Sequence, residues 1–260
     1  MKKMSIKNAN ISIILALLFA FIGMYSLGIN TDLVGKITLY KLSASMVYIL
    51  PLIVVMIFLV FTGFYKKVCE DKLKIKSVFT NGWYVLFAGV LLFGFSYMGL
   101  IKERTPSAQD FLLFIISCIC TASFEELLFR AVIQNTLIEG FKNSKKTVWS
   151  AIIVSSIIFG IVHIGNLLAN HNLVIMTLSQ IIYAFALGII LGTTYYITKN
   201  IFSTIFLHAV FNILGSFSVL YMLPKSVSAD ITIIAALLQI IVILPSIYIA
   251  RKKYKEFIAE

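Results

Sequence analysis

The chain is 260 residues long, 60% hydrophobic and only 13% charged, with a net charge of +11 and a mean hydropathy of +0.98. Soluble domains carry about 25% charged residues, so a soluble globular protein is excluded. The basic excess raises the question of a nucleic-acid partner, and its distribution answers against one.

Taken in chain order, the first element is an apolar run over 9–29 behind Met1-Lys2-Lys3. The run is ~20 residues long and no clean small-x-small cleavage site follows it, so a retained span is expected rather than a signal peptide. Further spans are expected over 43–65, 80–101, 108–138, 148–165, 173–197, 200–221 and 230–250. The fourth exceeds one crossing and should tilt or project from the bilayer. The linkers leave no room for a soluble domain. The expected fold class is therefore all-α, a polytopic membrane helix bundle of about eight transmembrane helices. Its parts are N-terminal helices 1–3 (1–107), a core (108–220), and a last helix with a basic tail (221–260).

Basic residues alternate with these spans. With the N-terminus inside, the inner segments carry Lys2, Lys3, Lys7, Lys66, Lys67, Lys72, Lys74, Lys76, Lys142, Lys145, Lys146, Lys199, Arg251, Lys252, Lys253 and Lys255. The outer loops carry only Lys36, Lys41, Lys102, Arg104 and Lys225, and Arg130 lies within a span. Such a bias sets topology. It places both termini in the cytoplasm and assigns the charge to anionic headgroups of the lipid bilayer rather than to nucleic acid. Cys69, Cys118 and Cys120 form no disulfide framework or Cys-x-x-Cys metal pattern and are expected as free thiols.

The fourth span holds the most informative residues. Glu125 and Glu126 sit side by side in an apolar stretch, with Arg130 one turn on. A carboxylate in hydrocarbon is expensive unless it is paired or faces a wet cavity, so it marks a functional site. On a helix, Glu126 and Arg130 are i and i+4 with the acid N-terminal, the preferred ion-pair orientation. Glu125 points about 100° away, towards Thr121 and Ala122, and is left for acid–base work. The bland alternative is that both acids only hold helices together.

Two histidines lie in other spans. His163 follows Phe159 by one turn, with Gly160 expected to leave space beside it. His208 and Asn212 are i and i+4, on a stripe with Thr204 and Ser216 that must face protein or water. At ~1.5 Å rise per residue, Glu125, His163 and His208 share a cavity in the middle to cytoplasmic half of the membrane. Ala184, Gly188 and Gly192 in span six read as packing positions. Asn166 and Asn170 read as caps or solvated residues, and His171 as a loop residue without a role.

Two chemistries fit Glu125, His163 and His208. One is a His₂Glu zinc site, although no His-Glu-x-x-His arrangement is present. The other uses no metal or other cofactor. Glu125 with His163 activates water, and His208 with Asn212 donates hydrogen bonds to an oxyanion. Asn212 favours the second, because an amide is a poor zinc ligand and a good donor.

Glu125-Glu126-x-x-x-Arg130, Phe159-x-x-x-His163 and His208-x-x-x-Asn212, in this order, resemble the three-motif signature of the CPBP family. That family comprises the type II CAAX prenyl endopeptidases and bacteriocin-processing proteins, also called Abi. The resemblance covers about 108–220. It implies an intramembrane endopeptidase with a cytosol-accessible cavity and a membrane-associated peptide or protein substrate. Glu125 and His163 would activate water, His208 and Asn212 would form the oxyanion hole, and Glu126 and Arg130 would support them. The family is often described as metalloproteases. Lys-, Ile- and Asn-rich composition points to a bacterial cell membrane. A non-catalytic immunity or scaffold protein would use the same fold, whereas an ion-coupled transporter would show Gly/Pro-broken helices in matched halves, which the sequence lacks.

Overall fold

In the computed structural model, residues 49–98, 104–141, 147–169, 174–221 and 229–260 are described. The expected first span, and Asn170, His171, Lys102, Lys142, Lys145, Lys146 and Lys225, lie outside them. The described elements are helical, apart from one isolated antiparallel bridge between Cys69 and Asn200. The main helices are α1 (Ile49–Thr62), α2 (Ile75–Met98), α3 (Ala108–Glu126), α4 (Asn135–Phe141), α5 (Val148–Ile161), α6 (Val174–Thr198), α7 (Ile201–Gly215), α8 (Ala229–Ile243) and α9 (Pro245–Ala259). Among the described residues, five runs are long and apolar enough to cross a membrane: Ile75–Met98, Ala108–Phe141, Val148–Gly165, Val174–Thr198 and Ile233–Ala259. The protein is a multi-pass membrane helix bundle.

Local chemistry sets several helix ends. Ser107 and Asp110 form a capping box at the start of α3: the Ser107 hydroxyl accepts from the Asp110 N–H, and Asp110 Oδ2 accepts from the Ser107 N–H at 2.8 Å. Asn200 caps α7, accepting from the Phe202 N–H at 3.0 Å, while its own amide donates to the Asp71 carbonyl. α7 ends at Gly215, short of the expected 221, because the chain tightens into a 3₁₀ turn over Phe217–Leu220. The last run bends at Leu244, since Pro245 cannot donate into the preceding ladder. The expected basic tail is therefore the helix α9. It packs on α6, with Ala250 and Tyr254 buried and Ser246 donating to the Ala186 carbonyl at 3.0 Å.

Contacts across the bundle define its two ends. At one, the Glu70 N–H donates to the Lys199 carbonyl, the Tyr195 hydroxyl donates to the Lys67 carbonyl, and Lys67 pairs with Glu139. Arg251 stacks on Trp149 at that same end, its guanidinium 4.6 Å from the ring centroid. At the other, Arg104 Nε donates to the Leu220 carbonyl at 2.8 Å, and the ring of Phe111 meets those of Phe217 and Tyr221. Among the described residues, Lys66, Lys67, Lys72, Lys74, Lys76, Lys199, Arg251, Lys252, Lys253 and Lys255 all belong to the first end, and Arg104 alone to the second. For these described residues, the alternation read from the sequence is a spatial segregation.

α6 runs through the middle of the bundle, packed on α5, α7, α8 and α9. Small residues let it approach α5. A Cβ on Gly188 would sit 3.0 Å from Ser156 Cβ, and one on Gly160 would sit 2.7 Å from the Ile181 carbonyl oxygen. Gly160 therefore serves the helix crossing rather than leaving room for His163. Backbone cannot yield as a side chain does, so Gly160→Ala should destabilise the bundle by about 1–3 kcal/mol, read as a lower thermal midpoint of the detergent-solubilised protein.

Candidate active site

The helix carrying the glutamates is not uniformly α. Directly after Glu126 the chain widens into a π-helical segment over Leu127–Gln134 before α4 resumes the regular form. Every residue of that segment is buried. π-Helical turns are rare and recur at functional sites. Sequence spacing gives no hint of this one, since its residues read as ordinary helix.

Glu126 and Arg130 form the expected pair within it. Arg130 Nε donates to Glu126 Oε2 at 3.1 Å, and both side chains are fully buried. The terminal nitrogens of Arg130 find no hydrogen-bond partner among the described residues. The guanidinium instead rests 5.2 Å from the centroid of the Phe159 ring, a cation–π contact.

His208, from α7, bridges the two acids. Its Nδ1 lies 3.0 Å from Glu126 Oε1, and its Nε2 lies 3.5 Å from Glu125 Oε2. Thr204, one turn earlier, also hydrogen-bonds Glu126. His163 sits on a 3₁₀ turn over Val162–Gly165 that ends the α5 run, with Nδ1 2.8 Å from the Phe159 carbonyl oxygen. Donation from Nδ1 to that carbonyl leaves Nε2 as the ring's acceptor. The Phe159 ring meets both imidazoles edge-on, at 5.2 Å from His163 and 6.0 Å from His208.

These groups share one cavity of about 260 Å³. α3 lines it with Phe114, Ser117, Cys118, Thr121 and Glu125, α7 with His208, Asn212 and Ser216, and the α5 run with Phe159 and His163. The structure thus brings Glu125, His163, His208 and Asn212 to one wall system, and holds Glu126 and Arg130 behind it. α6 adds Gln180 and Tyr183, which the sequence reading passed over while attending to the small residues of that helix. A Gln and a Tyr three residues apart in an apolar helix were the available signal. Asn166 is the C-cap of the 3₁₀ turn over Val162–Gly165, as expected, and its side-chain amide also donates to Gln180 Oε1 at 2.7 Å.

The cavity's direction is also unexpected. From Glu125 and His208 its lining extends up α3 to Phe114 and along α7 to Ser216, towards the Arg104–Tyr221 end. On the lysine-rich side of the motif residues, Phe129, Arg130, Ser156 and Thr204 are fully buried.

A zinc site would need three ligand atoms converging. Among the described residues no three His, Cys, Asp or Glu side chains group so as to hold a metal ion. His208 Nδ1 meets Glu126 and His163 Nδ1 meets a backbone carbonyl, which leaves the Nε2 atom of each ring for the cavity.

Carboxylates, imidazoles and an amide thus surround an internal cavity of a multi-pass helical bundle. Residues 106–214 match the model of the type II CAAX prenyl endopeptidase Rce1-like family. No curated protein matches the chain.

Proposed function

We propose that the protein is an intramembrane endopeptidase that hydrolyses a peptide bond in a membrane-associated peptide or protein without a metal. The observation that carries this is the convergence of Glu125, His163, His208 and Asn212 on one cavity within the family-matched region. Glu125 accepts the proton of a water, helped by the free Nε2 of His163, and the hydroxide adds to the carbonyl carbon. The negative charge that develops on the carbonyl oxygen is met by the Asn212 amide and by His208, whose ring is held by Glu126 through Nδ1. The proton held by Glu125 passes to the leaving amine. Glu126 and Arg130 position His208 and take no part in bond breaking. Both termini are assigned to the cytoplasm from the lysine and arginine distribution.

Comparing the membrane and secreted peptidomes of cells expressing wild type and Glu125→Gln tests the reading. Products present only with wild type support it. Identical peptidomes with an unchanged cellular phenotype would favour the non-catalytic scaffold. Asn212→Ala should lower hydrolysis of an identified substrate by about 10²–10³-fold, the usual loss of one oxyanion donor, and zinc analysis of the active protein should find no stoichiometric metal. Activity lost to chelator and restored by zinc would overturn the metal-free assignment.

A further inference from the structure

We propose that the cavity takes its substrate from the extracytoplasmic side, so that the segment cleaved is an extended peptide presented at the outer face of the membrane. The assignment of peptide as substrate rests on the function proposed above; the side of entry rests on geometry alone. Three observations combine. The cavity lining runs from Glu125 and His208 to Phe114 and Ser216, at the end where Arg104 is bonded to Leu220 and Tyr221. Ser216 is exposed, while Phe129, Arg130, Ser156 and Thr204 fill the bundle on the other side of the site. Finally, ten lysines and arginines lie at that other end against Arg104 alone at the cavity's end, among the described residues.

Basic residues are retained on the cytoplasmic side. The end with fewer basic residues is therefore the outer one, and the cavity reaches towards it. A water that enters there reaches Glu125 without crossing the packed layer around Arg130. The peptide must follow the same route. Its size is limited: about 260 Å³ falls just below the ~300–1,000 Å³ of sites that enclose small molecules. A short extended segment fits, and a folded domain does not. The substrate class is thus a membrane-bound or exported chain whose cleavage point lies beyond the inner leaflet. This departs from the cytosol-accessible cavity that the sequence resemblance implies.

The test is thiol accessibility in the full-length chain. Cys118→Ala and Cys120→Ala remove the thiols in and near the cavity, and exposed Cys69 remains as a marker of the lysine-rich end. Into this background go Ser117→Cys on the cavity wall and, separately, Ser216→Cys at its exposed rim, with Ile116→Cys as a control exposed outside the cavity. The probe is a charged, membrane-impermeant methanethiosulfonate, applied to intact spheroplasts and to inside-out vesicles. The expected result is labelling of positions 117 and 216 in spheroplasts with Cys69 protected, and the reverse in vesicles. Position 116 should stay unlabelled in both. Labelling of position 117 together with Cys69, in vesicles only, would overturn the proposal. Should Ser117→Cys fail to fold, Ser216→Cys gives the same reading. Because the labelling does not depend on turnover, an inactive protein with outward labelling would sink the peptidase assignment and leave the direction of access standing.

Discussion

Glu125→Gln should reduce hydrolysis by about 10²–10⁴-fold, the range attributable to one general base, while folded yield and thermal midpoint stay close to wild type. The substitution keeps the side chain's shape and removes the group that accepts the water proton. Stability should survive because Glu125 carries no essential bond. Its nearest ionic partner is His208 Nε2 at 3.5 Å, and the shorter link of that ring runs to Glu126. The neutral amide also relieves the crowding of two adjacent buried carboxylates. The readout is cleavage of a substrate found by peptidome comparison, measured with purified protein alongside a melting curve. A variant that cleaves at the wild-type rate would remove Glu125 from the chemistry, and one that fails to fold would show that its role is structural.

Much of this architecture is legible in the sequence because a bilayer imposes long apolar runs. The fifth expected span, 148–165, coincides with Val148–Gly165, and the sixth differs from Val174–Thr198 by one residue at each end. The bend before Pro245 belongs to the same local chemistry and could have been read more fully, since proline ends a ladder wherever it falls. The π-helical segment is a different matter. Leu127–Gln134 has no residue that disfavours ordinary helix, and its form is set by tertiary contacts such as Gln134 donating to the Gly192 carbonyl at 3.0 Å. The three motifs could be placed in spans, but spacing says nothing of which nitrogen of His208 meets which glutamate across 82 positions of sequence. The direction of the cavity was equally hidden. The stripes Phe114, Ser117, Thr121 and Glu125 on α3 and His208, Asn212 and Ser216 on α7 mark the faces that meet, but a periodic stripe does not say at which end the space between them opens.

The two neighbouring acids should respond in opposite ways, and Glu126→Ala should cost about 3–5 kcal/mol of stability, as breaking one side of a buried ion pair does. Glu126 accepts from Arg130 Nε at 3.1 Å and pairs with His208 Nδ1 at 3.0 Å, and it is fully buried. Removing it leaves a guanidinium whose terminal nitrogens have no other hydrogen-bond partner among the described residues. Contact with the Phe159 ring at 5.2 Å offsets little of that loss, since cation–π contacts contribute only about 0.5–2 kcal/mol. Folded yield from membranes should fall accordingly. Glu126→Gln combined with Arg130→Met removes the stranded charge and keeps an acceptor oxygen for His208, so it should recover part of the yield and of the thermal midpoint. If Glu126→Ala instead expresses and melts like wild type, the pair contributes nothing to the fold. If the double variant melts no higher than Glu126→Ala, the stranded charge of Arg130 is not the source of the damage. Partial recovery of stability with activity still impaired would separate the two duties of Glu126: neutralising a buried cation, and holding an imidazole against Glu125.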